Sequence, residues 1–198
     1  MHICAFPTEL NRGGPYFSSK VISVDKQTPT DSEAAFHSHI HHFITLNKLD
    51  PYSMTILLLG GTGKTSRRIS CLLDKSNISV LLASRYAASA PAPFKACHFD
   101  WSNPSTYNNP FSQAADISAV YLIPPFTFDI FTPMKAFTEL ALTKGVRRFV
   151  FLSGSIVNDD YPSLQQFHQY LANLANLGVD YAILLPTWFM GTKPNYHC

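Results

Sequence analysis

Short, mostly apolar runs alternate with helical patterns along the chain from residue 54 onward. Apolar runs that lack regular polar positions are typical of strands buried on both faces of a sheet. Between the runs, apolar side chains recur at helical spacing, as Ile69, Leu72 and Leu73 do. The runs are MTILLL (54–59), VLLAS (80–84), FKACHF (94–99), AVYLI (119–123), RFVFLS (148–153) and YAILL (181–185). Strands that alternate with helices predict an α/β fold with a doubly wound parallel sheet.

Capping residues mark the expected ends of the helices. Asn103 and Thr132 each precede a proline, which is favoured at the first helical position, so both are predicted N-caps. Ser163 precedes an amphipathic segment and is predicted to cap it. Gly145 and Gly178 follow the last two helical patterns and are expected to end those helices in the left-handed conformation.

The first 53 residues differ from the rest because turn formers recur in them without a sustained period. We interpret 1–53 as an irregular N-terminal extension, 54–190 as the folded domain and 191–198 as a short divergent tail. The extension contains HSHIHH (37–42), and imidazoles at alternate positions of a strand would face one metal ion. Since no carboxylate or cysteine lies beside it at ligand spacing, a solvated polar segment is favoured and no metal site is predicted.

Composition and charge exclude several classes of function. Net charge is +2, from 15 Lys and Arg against 13 Asp and Glu, which leaves no basic surface for nucleic acid. The apolar runs are far shorter than the roughly 20 residues of a membrane-spanning helix. The four cysteines lack C-x-x-C spacing, so no zinc knuckle is predicted. The N-terminus lacks the apolar core of a secretion signal and contains Glu9, so the cytoplasm is the expected compartment.

The sequence GGTGKT (60–65) lies between the first apolar run and the first helical pattern. Backbone N–H groups at the start of a helix attract an anion, and glycine lets a phosphate approach the backbone closely. A phosphate site is therefore predicted here. Its end, GKT, is similar to the end of a P-loop, but that motif needs a glycine five residues before Gly63, where Leu58 stands. A P-loop nucleotide hydrolase is disfavoured for this reason.

A dinucleotide loop fits the same segment better. Gly60, Gly63 and Ser66 have the G-x-x-G-x-x-small spacing of such loops. An NAD site usually has an acidic residue near the end of the second strand, where it binds the ribose 2′-OH. Here that strand ends in Ser84 and Arg85, and an arginine suits the 2′-phosphate of NADP. NADP(H) is therefore predicted over NAD.

Six blocks, in this order and spacing, resemble the NmrA-like branch of the atypical short-chain dehydrogenases, most closely the fungal ergot-alkaloid reductases of the agroclavine and festuclavine dehydrogenase type. The blocks are MTILLLGGTGKT, LLASR, HFDW, VYLIPP, RRFVFLSGSIV and YAILLPTWFM. The resemblance covers 54–190. It implies a Rossmann fold and an NADPH-dependent transfer of hydride to the cationic iminium of a clavine-type indole alkaloid.

The resemblance also implies which residues bind the cofactor. These are Gly60, Gly61, Thr62, Gly63, Lys64 and Thr65 at the pyrophosphate, Ser84 and Arg85 at the 2′-phosphate, Asp100 and Trp101 beside the adenine, Ile123, Pro124 and Pro125 near the ribose, and Ser153 near the nicotinamide.

Two features depart from the family pattern. Leu185 stands where the family usually has arginine before Pro-Thr-Trp, and after Met190 the family continues into a substrate-covering lobe, whereas this sequence reads GTKPNYHC. The sequence therefore reads as a truncated form whose activity is in doubt. A non-catalytic NADP-sensing regulator of the NmrA kind, or an inactive homologue, is the alternative.

Within 54–190 no tyrosine is followed by a lysine four residues later, so the Tyr-x-x-x-Lys acid of ordinary short-chain dehydrogenases is missing and no catalytic residue is assigned. An iminium is already cationic, so orientation in a dry, aromatic-rich cavity suffices for it to accept hydride. His168 is an alternative acid. Its place on the polar side of an amphipathic pattern is more typical of a surface histidine.

Overall fold

The computed structural model describes residues 20–24, 54–154 and 161–186. The strands within these ranges are β1 (Lys20–Val24), β2 (Thr55–Leu59), β3 (Ser79–Ser84), β4 (Lys95–His98), β5 (Ile117–Leu122), β6 (Arg148–Leu152) and β7 (Asp180–Pro186). The α-helices are α1 (Lys64–Lys75), α2 (Asn109–Gln113), α3 (Phe131–Thr143) and α4 (Pro162–Ala175), and short 3₁₀ helices cover Ala87–Ser89 and Pro104–Thr106. No helix in these ranges is long and apolar enough to cross a membrane.

All described strands join one parallel sheet in the order β1-β7-β6-β5-β2-β3-β4. From β4 to β7 this is the strand order of the Rossmann fold, in which the winding direction reverses beside the first strand of the motif. The reversal lies between β2 and β5, which are hydrogen-bonded neighbours. The predicted α/β class with a doubly wound parallel sheet is confirmed.

Strand β1 extends this order at the outer edge of β7. It pairs in parallel with β7 from Lys20 opposite Ala182 to Val24 opposite Pro186. The interpretation of 1–53 as irregular is therefore wrong at 20–24. Local pattern does not reveal such a strand, because its partner lies at the far end of the domain sequence. The remainder of 1–53, with HSHIHH, and the tail at 191–198 lie outside the described residues, so the domain boundaries stay predictions.

Strand β2 shows why the apolar runs lack polar alternation. Every residue of β2 is buried, and successive side chains enter different cores. Leu57 and Leu59 pack in the layer beneath α3 and α4, whereas Ile56 and Leu58 pack in the layer beneath α1. Both faces of the strand are covered, so both sets of positions are apolar.

The two predicted helix terminators are confirmed, whereas two of the predicted N-caps are wrong. Gly145 and Gly178 have φ of +90° and +78°, as left-handed terminators do. Asn103 accepts a hydrogen bond from the Ser105 amide, although it opens a 3₁₀ helix. The predicted caps Thr132 and Ser163 are wrong, since both lie inside the helices they were expected to cap.

Ser163 instead caps the neighbouring helix. Its Oγ accepts hydrogen bonds from the backbone N–H groups of Ile130 and Phe131, at 2.9 and 2.8 Å, at the start of α3. The first N–H groups of a helix have no partner within it. Because α3 and α4 pack side by side, a side chain distant in sequence satisfies two of them, and this could not be inferred from the local pattern.

We therefore expect Ser163→Ala to lower the free energy of unfolding by about 1 kcal/mol, the usual loss for a deleted N-cap. Urea denaturation followed by far-UV circular dichroism measures this change. Ser163→Thr keeps a hydroxyl at the same place and should recover most of the loss. Equal stability of the alanine variant and the unmodified chain would contradict the capping role.

Candidate functional site

The predicted site residues all lie in the described part of the chain, and all follow or end strands at one edge of the sheet. Carboxyl ends of parallel strands share an edge, and in doubly wound sheets ligands bind outside it at the point of reversal. The loop Gly60–Thr65 follows β2, Ser84 and Arg85 end and follow β3, and Asp100 and Trp101 follow β4. Ile123, Pro124 and Pro125 follow β5, and Ser153 follows β6.

The loop after β2 is shaped by two glycines with different constraints. Gly60 has φ of +63°, a conformation that side chains rarely adopt. Gly61 crosses β3 so closely that an added Cβ would lie 2.6 Å from the Cβ of Leu82, and its N–H donates to the Ala83 carbonyl at 2.9 Å. The Gly63 N–H then donates to the Gly60 carbonyl at 2.8 Å and closes the turn. The loop must lie directly against the adjacent strand.

Helix α1 begins at Lys64 with its first turn open to an anion. Its N-cap is Gly63, no side chain caps it, and no acidic residue lies in its first turn. The N–H groups and the positive end of the helix dipole therefore remain available to a negatively charged group. Ser66 is fully buried and its Oγ donates to the Leu59 carbonyl at 2.9 Å. This small residue joins the helix to the end of β2.

The end of β3 presents a buried hydroxyl and an exposed cation. The Oγ atoms of Ser84 and Thr62 are 2.9 Å apart, and Ser84 Oγ also accepts from the Tyr86 N–H at 3.2 Å, so this hydroxyl ties the glycine loop to β3. Arg85 is exposed, with its guanidinium 5.7 Å from the centre of the Tyr86 ring. Its charge is therefore at the surface beside the loop.

The residues after β4 are held by bonds within the protein. Asp100 Oδ1 accepts from the N–H and the Oγ of Ser102, at 2.9 and 2.8 Å, and these bonds lower the pKa of Asp100, with a further contribution from the charge of Arg85. The indole N–H of Trp101 donates to the Ile123 carbonyl at 3.1 Å. Trp101 thereby fastens the end of β4 to the end of β5.

At the end of β6, Ser153 and His168 lie in contact, which was not predicted from the sequence. Ser153 Oγ lies 2.9 Å from His168 Nε2, and the Ser153 N–H donates to the Leu184 carbonyl at 2.9 Å. His168 is half-buried, and its ring contacts the Phe151 ring edge-on with centres 5.7 Å apart. Burial lowers the pKa of His168. The expectation that His168 is a surface residue is wrong; its position beside the buried Phe167 was the available signal.

Sequence reasoning also missed the loop after β5. The side chains of Phe126 and Phe128 are fully exposed there, at 108% and 106%. Since β5 pairs with β6 up to Leu122 opposite Phe151, this loop begins beside Ser153. On β7, Leu185 packs against the core at the position where the family pattern has arginine.

Within residues 20–24, 54–154 and 161–186, no group of three or more His, Cys, Asp or Glu side chains is placed to hold a metal ion.

The strand order, the glycine turn and the open start of α1 define a Rossmann-fold protein. Solved structures show the same fold. UDP-glucose 4-epimerase of Thermus thermophilus matches with a TM-score of 0.56 and 14% identity, over 67% of this chain and 54% of that one. Triphenylmethane reductase of Citrobacter sp. matches with a TM-score of 0.54 and 15% identity, over 65% of this chain and 48% of that one.

Curated sequences are more similar still. Festuclavine synthase I of Penicillium roqueforti is 44% identical over 142 residues, which cover 69% of this chain and 48% of that protein. Agroclavine dehydrogenase of Claviceps purpurea is 36% identical over 151 residues, which cover 73% and 51%. The predicted resemblance to the agroclavine and festuclavine dehydrogenase type is confirmed, and the chain is a homologue of these two proteins. It spans about half the length of the curated relatives it matches, and no protein-family model matches it.

At Gly61 the loop lies so close to β3 that a side chain there should destabilise the fold. We expect Gly61→Ala to lower the free energy of unfolding by roughly 1–3 kcal/mol, because the new methyl group would overlap Leu82 and force the loop away from β3. Urea denaturation measures the loss. Gly154→Ala is the matched control, since its added methyl group meets no atom of the described residues within 4 Å. Equal effects of the two substitutions would show that the contact does not constrain the loop.

Proposed function

We propose that this chain binds NADP(H) at the carboxyl edge of its sheet and acts as an NADPH-dependent reductase of an apolar cationic substrate, a clavine-type iminium. The observation that carries the proposal is the juxtaposition of the glycine loop, the uncapped start of α1 and the exposed Arg85 beside the strand reversal. Homology to festuclavine synthase and agroclavine dehydrogenase supports the reaction and the substrate class.

The residues of the loop fit a pyrophosphate. Glycine at positions 60 and 61 lets the loop lie against Ile123 and Leu82, and the N–H groups at the start of α1 have no side-chain cap. A phosphate there would accept hydrogen bonds from backbone amides and lie at the positive end of the helix dipole. Ser66, Thr62 and Ser84 form the internal bonds that keep this loop in place.

Arg85 supports the choice of NADP(H) over NAD. An acidic residue at the end of β3 would bind the free 2′-OH of NAD and repel a phosphate. The chain has a guanidinium there instead, and Arg85 pairs with a phosphate through several N–H donors in one plane. The acidic residue Asp100 follows β4 rather than β3, and one of its carboxylate oxygens already accepts two hydrogen bonds from Ser102.

When bound, the nicotinamide supplies a hydride, so the chain's part is to orient the acceptor and to exclude water. A cationic iminium needs no proton from the protein before it accepts a hydride. The exposed Phe126 and Phe128 lie in the loop that starts beside Ser153 and offer aromatic surface to a flat, apolar substrate. This aromatic surface supports an indole alkaloid as the substrate class.

We expect the unmodified chain to bind NADPH more tightly than NADH in calorimetric titrations. Arg85→Gln should weaken NADPH binding by an amount equivalent to about 1.5–3 kcal/mol, the scale of a charged hydrogen bond, and leave NADH binding unchanged. Lys144→Gln removes one positive charge after α3, away from the crevice, and should change neither affinity. A preference for NADPH that survives Arg85→Gln would rule out this role.

Oxidation of NADPH in the presence of a clavine-type iminium tests the reaction itself. Absorbance at the nicotinamide band should fall only when chain, cofactor and iminium are all present. We expect Phe126→Ala and Phe128→Ala to raise KM for the iminium more than they lower kcat, because they remove apolar contact rather than the hydride path. NADPH binding without any turnover would favour the alternative, a non-catalytic NADP-sensing protein.

A further inference from the structure

The hydrogen bond between Ser153 and His168 is not explained by cofactor binding or by packing alone. Ser153 is the first residue after β6, and its N–H is bonded to the Leu184 carbonyl, so its backbone is fixed at the crevice edge. Its hydroxyl lies 2.9 Å from His168 Nε2. A hydroxyl has one donor and two acceptor positions, so Ser153 can still bond to a ligand while it contacts His168.

His168 lies in an environment that favours its neutral form. The ring is half-buried between α4 and the sheet, against Phe151. Burial lowers its pKa, and no charged group among the described residues adds to this effect. The titratable groups on the surrounding elements are Lys135 and Glu139 on α3, Tyr170 on α4, Arg148 on β6, and Asp180 and Tyr181 on β7, with Asp129, Lys144, Arg147 and Tyr161 in the adjoining turns. Two pairs among them are mutually compensated, Lys135 with Glu139 at 3.7 Å and Arg148 with Asp180 at 3.4 Å.

We propose that Ser153 and His168 form a proton-transfer pair, which gives the site a second activity: the reduction of an apolar aldehyde or ketone to an alcohol. The proposal rests on the proposed binding of NADPH. It assigns the missing acid of 54–190 to a serine hydroxyl supplied with protons by a histidine, in place of a Tyr-x-x-x-Lys pair. Ser153 would touch the substrate, and His168 would act through Ser153.

The atoms and charges of this step balance. NADPH is the reductant, and its hydride forms the new C–H bond at the carbonyl carbon. The Ser153 O–H bond breaks as its proton moves to the carbonyl oxygen, and the Nε2–H proton of the His168 imidazolium moves to Ser153 Oγ. The products are an alcohol, NADP⁺, an intact serine and a neutral histidine, which regains its proton from water.

The pair predicts different pH dependences for the two substrate classes. Only protonated His168 can supply the proton, and its pKa is lowered, so carbonyl reduction should rise as the pH falls below the ordinary histidine pKa of 6.5. Iminium reduction consumes no proton and should not follow His168. The same site would therefore show a pH profile that belongs to the substrate rather than to cofactor binding.

The first experiment requires no turnover. Titration of the histidine resonances by NMR in the full chain should give His168 a pKa below that of an ordinary histidine, and Ser153→Ala should shift it. His168→Gln keeps a hydrogen-bonding group and cannot titrate, and it should leave the NADPH affinity unchanged within about twofold. An ordinary pKa that does not respond to Ser153→Ala would overturn the proposal.

The second experiment compares an apolar aldehyde with a clavine-type iminium as substrates. His168→Gln should lower kcat for the aldehyde about 100-fold and remove its pH dependence, whereas kcat for the iminium should fall much less, because that reduction takes no proton from the pair. Gln166→Ala, an exposed neighbour on α4, should change neither. An unmodified chain that binds NADPH but reduces no aldehyde, or an aldehyde activity that survives His168→Gln with its pH profile, overturns the pair. Failure to bind NADPH would instead overturn the proposed function.

Discussion

Burial of β2 on both faces, between β3 and β5, is the constraint on which the rest of this structure depends. All five residues of β2 are buried. The chain adds β3 and β4 on one side of β2 and then β5, β6 and β7 on the other side. The reversal opens a crevice at the carboxyl end of β2, and the chain must turn there into α1. Every other part of the candidate site is arranged around that turn.

Polar side chains at this edge of the sheet form hydrogen bonds within the protein that hold the loops in place. Thr62 bonds to Ser84 and Trp101 bonds to Ile123, and each of these bonds joins segments at the ends of two different strands, whereas Ser66 bonds to Leu59 and joins α1 to the end of β2. Such bonds favour the proposed binding of a phosphate at the backbone amides, because preorganised donors need no rearrangement on binding. Several residues that the family pattern assigns to the cofactor thus form bonds that shape this edge of the sheet.

The contact between Ser153 and His168 links the crevice to the helical layer behind it. Residues 15 apart in sequence meet because α4 packs its apolar face on the sheet, with Phe167 fully buried beside the half-buried histidine. A polar residue at the margin of an apolar face faces either the solvent or a gap at the end of a strand. Here it faces the end of β6, and the proton chemistry proposed for the site follows from that placement.

The α/β class, the six strands β2 to β7 and the glycine turn could be predicted from the sequence alone, because buried parallel strands and glycine turns depend on local periodicity and on residues without side chains. So could the helix terminators Gly145 and Gly178, whose positive φ is a local property. Three features emerge only from the three-dimensional packing: Lys20–Val24 joins the edge of β7, Ser163 caps α3 rather than α4, and His168 contacts Ser153. Each of these depends on the distance between side chains or strands that are remote in sequence, and packing of the helices and the sheet alone sets that distance.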